Sequence, residues 1–318
     1  MRVGFIGLGN VGSKLAASLQ RNGFDLTVRD LDRAAAQPFL DAGARWATSG
    51  SQLAEQVDLV ITCLPSPAAV REVMEADDGV IAGLRPDSLW LEMSTTDQAE
   101  VKRIGALVAA AGARPLDGPV SGGCHRAATG NIAIFVGGDR PDFERVLPVL
   151  TAMGRDILHV GELGAASVLK VVTNYLASVH LVALGEALMT AKLAGMDLAT
   201  TYEAIRISSG NSFVHETESQ VILNGSYNIN FTMDLVVKDM SLFQQLAEGL
   251  GVPLEVSPLV LDIFERGQQA FGPRFWSSGI VRFLEDACGV DLRAPGFPEE
   301  LIDTEPEEPG HEVVPSVA

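Results

Sequence analysis

Residues 3–12, Val-Gly-Phe-Ile-Gly-Leu-Gly-Asn-Val-Gly, decide the fold of the first part of the chain. A short apolar run leads directly into a Gly-x-Gly-x-x-Gly pattern, Gly7–Gly12, and the helical stretch Ser13–Asn22 follows. In such a unit the first glycine permits a tight turn, the second lets the backbone approach a pyrophosphate, and the third lets helix and strand pack closely. The helix N-terminus adds N–H donors for the anion. We therefore predict a dinucleotide-binding Rossmann unit.

Asp30 stands where the next predicted strand ends, eighteen positions after Gly12. A carboxylate at this point accepts hydrogen bonds from both ribose hydroxyls of NAD and repels the 2′-phosphate of NADP. Arg29 and Arg33 flank it, and either side chain is long enough to reach a phosphate. The sequence predicts NAD as the cofactor, with NADP as the alternative.

The composition bounds the class of protein. The chain has 318 residues, 47% of them hydrophobic, and a net charge of -18. This length allows two domains of about 100–200 residues each. The acidity argues against a nucleic-acid partner, because binding a polyanion needs clustered Lys and Arg. Three widely spaced cysteines predict neither a disulfide framework nor a metal site and fit a reducing compartment.

The first strand begins so early that we expect no signal peptide, and we predict a cytoplasmic protein. The apolar stretch Val168–Ala194 is interrupted by charged and polar side chains, so it predicts a buried helix of a soluble protein and no membrane span.

Up to about residue 160 short apolar runs alternate with helical stretches such as Gln98–Ala111, which is typical of βαβ units. The strand candidates are Arg2–Ile6, Asp25–Val28, Asp58–Leu64, Ser88–Glu92 and Ile132–Val136. From about Gly164 the pattern is helical only, with a break at residues 251–253. We predict an α/β Rossmann-type doubly wound sheet (1–162), an all-α C-terminal domain (163–293) for substrate and oligomerisation, and an acidic Pro-rich tail (294–318) that is disordered or draped over the surface.

Two further segments carry chemistry. Residues 117–123, Asp-Gly-Pro-Val-Ser-Gly-Gly, expose backbone N–H groups and the Ser121 hydroxyl in a loop that suits a carboxylate. In the apolar helix after Gly164, Lys170, Asn174 and Ser178 form one polar stripe at intervals of four residues. A buried ammonium is costly unless it is paired or used in chemistry. The alternatives are a structural ion pair, for instance with Glu186, or a lysine that extends to solvent.

These motifs together resemble the β-hydroxyacid dehydrogenase family, which includes 3-hydroxyisobutyrate dehydrogenase and tartronate semialdehyde reductase. Asp117–Gly123 with Gly130 and the pair Gly137-Gly138 resembles its DxPVSGGxxxAxxG segment, Lys170–Asn174 its KxxNN, and Phe231–Asp239 its FxxxLxxKD. The resemblance extends to about residue 290. It implies an NAD(P)-dependent oxidoreductase that converts a β-hydroxy acid to its semialdehyde, and a homodimer or tetramer in which helices of two subunits pack together.

The resemblance also implies residue roles. Lys170 is the expected general acid/base, and the expected binding residues for a small carboxylate-bearing substrate are Ser121, Gly122, Gly123 and Asn174. The expected cofactor-binding residues are Gly7, Leu8, Gly9, Asn10, Val11, Asp30, Leu64, Pro65, Thr95 and Lys238, the last near the nicotinamide. No metal is expected.

The sequence departs from the family pattern at three places. Cys124-His125-Arg126 replaces the usual small residues after Ser-Gly-Gly, Thr173 replaces the first Asn of the usual pair, and residues 271–278 lack an acidic residue that the family often has. Two alternatives stay open. One is an imine reductase on the same scaffold, and the other is a dinucleotide-sensing protein without catalysis.

Overall fold

The computed structural model describes residues 1–315. The chain forms two compact units, one of Met1–Lys170 with the segment from Asp303 onward and one of Val171–Ile302. The strands of the first unit are β1 (Arg2–Ile6), β2 (Asp25–Arg29), β3 (Arg45–Trp46), β4 (Leu59–Thr62), β5 (Leu89–Glu92), β6 (Arg114–Asp117), β7 (Val120–Ser121), β8 (Ile132–Gly137), β9 (Gly154–Gly161) and β10 (His311–Glu312).

The first unit has a hydrophobic core on each face of its sheet. Every residue of β4 is buried, and successive residues enter different cores, Leu59 and Ile61 one and Val60 the other. Because neighbouring side chains of a strand point to opposite faces, this sheet is covered on both sides. The helices of this unit are α1 (Gly12–Arg21), α2 (Arg33–Asp41), α3 (Gly50–Gln56), α4 (Pro67–Glu75), α5 (Val80–Gly83), α6 (Gln98–Ala110), α7 (Gly123–Thr129) and α8 (Arg140–Leu150).

The strand order is β10-β9-β8-β6-β5-β4-β1-β2-β3, with β7 paired to β8. Strands β1 to β6 pair in parallel, and β8 pairs antiparallel to β6. The chain leaves β1 toward β2 and β3 and then crosses to β4 on the other side, so the order reverses between β1 and β4. Ligands of open α/β sheets bind at such a switch point, beyond the carboxyl ends of the strands.

The second unit is helical in the part of the chain that the structure describes. Its helices are α9 (Ala165–Leu193, which begins in the first unit), α10 (Leu198–Arg206), α11 (Phe213–Asn224), α12 (Met233–Gly249), α13 (Val256–Phe271), a short 3₁₀ helix (Ser277–Val281) and α14 (Arg282–Cys288). Leu188, Ile222 and Phe264 lie at the centre of its core. Gly251 separates α12 from α13 in the left-handed conformation, φ +70, at the predicted break.

The predicted fold class, a Rossmann-type doubly wound sheet followed by a helical domain, is confirmed. The domain boundary near residue 162 stays a prediction. The strand candidates did not include β3, β7, β9 or β10. All of these except β9 have two residues each, too few to show an alternation of apolar and polar residues.

The acidic segment 294–318 has a defined course as far as it is described. Residues up to Ile302 belong to the second unit, and from Asp303 the chain joins the first unit, where β10 pairs in parallel with β9. The predicted bounds and character of this tail stay a prediction. Residues 316–318 lie outside the described residues.

Within the described residues, α9 is the one helix that is long and apolar enough to span a membrane by length and composition alone. Its most apolar window is 33% buried within this chain. Core helices of soluble proteins pass the same test. The cytoplasmic localisation stays a prediction.

Candidate active site

The glycine loop is packed closely against backbone atoms at Gly7 and Gly12 and is open at Gly9. Gly7 has φ +100, and an added Cβ would lie 2.2 Å from the Cys63 carbonyl oxygen. An added Cβ on Gly12 would lie 2.0 Å from the Gly7 carbonyl oxygen, so the turn into α1 needs both glycines. A Cβ on Gly9 would meet nothing within 4 Å. The open surface at Gly9 leaves the space that a pyrophosphate needs beside the backbone.

Asp30 connects the loop that follows β1 with the loop that follows β2. Its carboxylate accepts hydrogen bonds from the Leu8 N–H at 2.6 Å and the Asp32 N–H at 2.9 Å. Arg29 donates to the Thr48 carbonyl, and the Arg33 guanidinium lies 5.7 Å from the centre of the Trp46 ring. Asp30 thus lies beside the glycine loop, and both neighbouring arginines are engaged away from it.

The carboxyl ends of five strands line up in register. Ile6 of β1 pairs with Arg29 and Thr62, Thr62 pairs with Glu92, and Glu92 pairs with Asp117. Because these strands are parallel, the residues after each of them emerge side by side at one edge of the sheet. This register places the predicted cofactor contacts Gly7–Val11, Asp30, Leu64 with the exposed Pro65, and Thr95 along the same edge.

A buried carboxyl group that the sequence did not single out supports two of these loops. Glu92 has no exposed surface; it accepts hydrogen bonds from the Thr62 hydroxyl at 2.8 Å and from the Ser94 N–H at 2.6 Å. The Ser94 hydroxyl in turn accepts the Leu64 N–H at 2.7 Å. Burial raises the pKa of Glu92 to about 7, against the hydrogen bonds from Ser94 and Thr62 that favour its ionised form. Glu92 thereby fixes the loops that carry Leu64 and Thr95.

The loop after β6 is held at its beginning by Asp117. Its buried carboxylate accepts hydrogen bonds from the Gly164 N–H, the Ser167 N–H and the Ser167 hydroxyl, all between 2.8 and 2.9 Å. These donors lie at the N-terminus of α9, so Asp117 caps the helix on which Lys170 follows. Burial raises the pKa of Asp117 although these hydrogen bonds oppose the shift.

The predicted carboxylate-binding residues form a turn that requires glycine. Ser121 ends β7, and Gly122 and Gly123 follow with φ +132 and +86. Residues with side chains rarely adopt such conformations. Ser121 and Gly122 are half-buried and Gly123 is exposed, which leaves backbone N–H groups of the turn within reach of a small ligand.

On α9 the predicted polar stripe is present, and the expected burial of the lysine is confirmed. Lys170 is 9% exposed, and Asn174 and Ser178 follow at intervals of one turn. An ion pair with Glu186 of the same chain is excluded, because sixteen residues of helix span about 24 Å. The catalytic role of Lys170 stays a prediction.

Asp239 of α12, which the sequence reasoning left without a role, joins two predicted site residues in the second unit. Its buried carboxylate accepts the Asn174 side-chain amide at 2.5 Å and pairs with the Lys238 ammonium at 2.6 Å. Asp239 ends the motif Phe231–Asp239, so the sequence carries a signal for it, but a contact between residues 65 positions apart is not visible in local spacing. Asn174 and Lys238 are thus brought together.

The departures from the family pattern have defined contacts. Arg126 pairs with Glu305 at 3.3 Å, and Arg274, which is largely exposed, pairs with Asp234 at 3.4 Å. Trp276 bridges to Thr232. Each of these side chains therefore contacts residues of its own unit.

The first unit fits a dinucleotide. The loop is open at Gly9. Within residues 1–315, no side-chain hydrogen bond caps the N-terminus of α1. Donors at an uncapped helix N-terminus suit a phosphate. The Asp30 carboxylate beside the loop suits ribose hydroxyls.

Two family models match the chain. Residues 2–161 match the NAD binding domain of 6-phosphogluconate dehydrogenase, and residues 164–284 match the NAD-binding domain of NADP-dependent 3-hydroxyisobutyrate dehydrogenase. The chain therefore contains NAD(P)-binding domains of a known oxidoreductase family.

The alignments with individual relatives cover nearly the whole length of each relative. The 2-(hydroxymethyl)glutarate dehydrogenase of Eubacterium barkeri is 31% identical over 92% of this chain and 97% of its own. The NAD-dependent L-serine dehydrogenase of Pseudomonas aeruginosa is 33% identical over 83% of this chain and 91% of its own. The crystal structure of a 3-hydroxyisobutyrate dehydrogenase from Salmonella typhimurium superposes with a TM-score of 0.81 at 31% identity, covering 89% of this chain and 99% of that one.

The buried Glu92 predicts an unusual dependence of stability on pH. Its pKa of about 7 in the folded chain lies above its ordinary value of 4.5, so its stabilising contribution is present at acid pH and is lost as the pH rises through 7. We expect the free energy of unfolding of the wild type to fall by about 2–3 kcal/mol between about pH 5 and pH 8 relative to Glu92→Gln. Urea unfolding of both proteins at several pH values measures this difference.

Glu75→Gln is the control, because the Arg103 guanidinium lowers the pKa of Glu75. A contribution of that kind is lost only at acid pH, so this variant should track the wild type between about pH 5 and pH 8. A constant difference between wild type and Glu92→Gln over that range would contradict the prediction.

Proposed function

The chain belongs to the β-hydroxyacid dehydrogenase family, and we propose that it oxidises a small β-hydroxy acid to its semialdehyde with NAD as cofactor and Lys170 as general acid/base. The observation that carries this proposal is the burial of Lys170 in the turns that follow the capped start of α9. Asp117 begins the loop that leads to Ser121–Gly123, and it also caps this helix. A lysine fixed in this way has a defined position relative to the proposed carboxylate-binding turn.

In the proposed reaction the Ser121–Gly123 turn binds the substrate carboxylate and Asn174 orients the substrate through its side-chain amide. Asp239 accepts a hydrogen bond from that amide, which fixes its orientation. Lys170 takes the proton of the substrate hydroxyl and returns it in the reverse direction. Bound NAD would supply the hydride acceptor. General acid–base catalysis of this kind contributes about 10²–10⁴-fold to the rate.

The substrate is a β-hydroxy acid in this proposal, and its remaining substituent is left open. The relatives' names give L-serine, 2-(hydroxymethyl)glutarate and 3-hydroxyisobutyrate. All three compounds carry a hydroxymethyl group on the carbon next to a carboxylate and differ in the third group on that carbon. One carboxylate-binding turn and one acid/base lysine serve this shared part, while the third group depends on other side chains of the pocket.

Two alternatives remain, and each has a distinguishing observation. An imine reductase would reduce a C=N bond and has no need for a lysine acid/base, so loss of Lys170 would leave its activity. A dinucleotide-sensing protein would bind NAD and turn over no hydroxy acid. The buried Lys170 and the tie of Asp239 to Asn174 favour the dehydrogenase over both.

Substitution of Lys170 tests the proposal directly. We expect the wild type to reduce NAD with at least one of 3-hydroxyisobutyrate, serine, glycerate, threonate or 2-(hydroxymethyl)glutarate. We expect Lys170→Ala to lower kcat by about 10²–10⁴-fold, because the proton acceptor is lost. The Kd of NADH, measured by fluorescence, should stay unchanged.

Lys192→Ala removes a lysine from the last turn of the same helix and should leave kcat unchanged. Activity of Lys170→Ala close to that of the wild type would remove the proposed mechanism. Absence of turnover by the wild type with the whole panel, beside tight NADH binding, would favour the sensing protein.

We propose NAD over NADP on the position of Asp30 beside the glycine loop and on the contacts that engage Arg29 and Arg33 elsewhere. Asp30→Ser should raise kcat/KM with NADP relative to NAD by about tenfold or more, since the repulsion of the 2′-phosphate is removed. Asp32→Ser is the matched control, because serine also caps a helix and Asp32 caps α2. A wild type that prefers NADP would overturn this assignment.

We also propose a homo-oligomer in which α9 packs against another copy of the chain. Leu169 and Leu176 lie two turns apart on one face of α9 and are 37% and 46% exposed. Burying the part of each side chain that is still exposed contributes about 0.5–1.5 kcal/mol, since full burial of a leucine is worth about 1.5–3 kcal/mol. Sedimentation velocity should show a dimer or larger species for the wild type and dissociation for Leu176→Glu with unchanged circular dichroism. A monomeric wild type would contradict the proposal.

A further inference from the structure

Residues 303–313, here called the C-terminal strap, lie against the first unit through their backbone. His311 and Glu312 form β10 beside β9, and the Gly310 N–H donates to the Thr151 carbonyl at 2.9 Å. An added Cβ on Gly310 would lie 1.9 Å from the Gly154 carbonyl oxygen. The strap is thus a closely fitted part of this unit.

The acidic side chains of the strap meet arginines from several elements. Glu305 pairs with Arg126 at 3.3 Å, Glu307 pairs with Arg21 at 3.3 Å, and Glu312 accepts a hydrogen bond from Arg140 at 2.9 Å. The last 25 residues contain no Lys or Arg, so the charges of strap and surface are complementary. A single exposed ion pair stabilises the folded chain by about 0–1 kcal/mol. The ion pairs and the strand pairing together hold the strap against the first unit.

The first part of the strap contacts the end of α7. The Asp303 carboxylate accepts the Thr129 hydroxyl at 2.5 Å and the Asn131 side-chain amide at 2.8 Å. The same Asn131 amide donates to the Glu305 carbonyl at 3.1 Å. Burial of Asp303 favours its neutral form, but these hydrogen bonds outweigh that effect and hold its pKa below the ordinary value. Asp303 is therefore ionised at neutral pH.

The helix held in this way begins at the proposed substrate turn. Gly122 is the N-cap of α7, which runs from Gly123 to Thr129, so any rotation or shift of α7 moves the turn. Arg21 at the end of α1 donates to the Ala128 carbonyl at 2.9 Å and to Glu307. The strap therefore bridges the helix after the cofactor loop and the helix after the substrate turn.

The strap lies beyond the residues that the two family models match. The second family model ends at residue 284, while the Salmonella typhimurium structure is covered over 99% of its length by 89% of this chain. The contacts to α7 from Asp303 and Glu305 thus come from a segment outside the matched domains.

We propose that Asp303 and Glu305 are positioning residues for substrate binding, which hold Arg126, Thr129 and Asn131 and so fix α7 and the Ser121–Gly123 turn. This rests on the proposed function in one respect, namely that the turn binds the substrate carboxylate. The two acids touch neither substrate nor cofactor and act through α7. Their loss weakens substrate binding and leaves the chemical step and the cofactor site intact.

The test compares the wild type with the double variant Asp303→Ala/Glu305→Gln. We expect KM for the hydroxy acid to rise about five- to twentyfold, because a displaced turn binds less tightly. Both kcat and the Kd of NADH should stay within about twofold of the wild type. Hydrogen exchange of peptides covering residues 120–131 should become faster in the variant, with or without a known substrate.

Glu312→Gln is the matched control, since it removes an acid from the same strap that contacts α8 instead of α7. It should leave KM and exchange at residues 120–131 unchanged. An unchanged KM in the double variant overturns the proposal even if exchange is faster, because the strap then only stabilises the fold. If the wild type turns over no hydroxy acid, the proposed function fails. Hydrogen exchange at residues 120–131 then decides alone whether the strap holds the turn. Unchanged exchange in the double variant overturns the positioning role of the strap.

Discussion

The carboxyl group of Asp117, which has no exposed surface, joins the end of β6 to the beginning of α9. Helix N-termini leave N–H groups without partners, and a buried carboxylate is costly unless it is hydrogen-bonded, so each satisfies the other. Gly137 is part of this arrangement, because a Cβ there would lie 2.4 Å from an Asp117 oxygen. One side chain thereby sets the origin of the loop that contains Ser121 and of the helix that contains Lys170.

Glu92 is the last residue of the neighbouring strand β5, just as Asp117 is the last residue of β6. It pairs in register with Asp117, and its carboxyl group also accepts a backbone N–H of the loop that follows its own strand. Glu92 accepts an N–H group of the loop after β5, and Asp117 accepts N–H groups at the start of α9 that have no partner within the helix. Mutual repulsion adds to burial in raising the pKa of Glu92. This edge of the sheet is therefore built on two buried acids whose carboxyl groups are hydrogen-bonded to the chain itself.

The features that the sequence predicted depend on residues that are close together in the chain. The features that it did not predict depend on residues that are far apart in the chain. The unit from β1 through Asp30 was predictable because every part of it lies within thirty residues and follows a local rule. The burial of Lys170 was predictable because the residues around it on α9 are apolar nearly all round. The tie of Asp239 to Asn174, by contrast, depends on how α9 and α12 pack, which no local pattern contains. The two-residue strand β10 is likewise defined only by its partner β9.

The position of β10 has a consequence for how the protein is made. β9 ends at Gly161, and the strand that covers its edge begins only at His311, beyond all the helices of the second unit. The rest of the sheet can form early in synthesis, but the edge of β9 stays open until the segment around His311 has been made. Open edge strands are templates for pairing between chains. A polypeptide that lacks this segment therefore has an uncovered edge on β9 and has lost the acids that pair with Arg21 and Arg140.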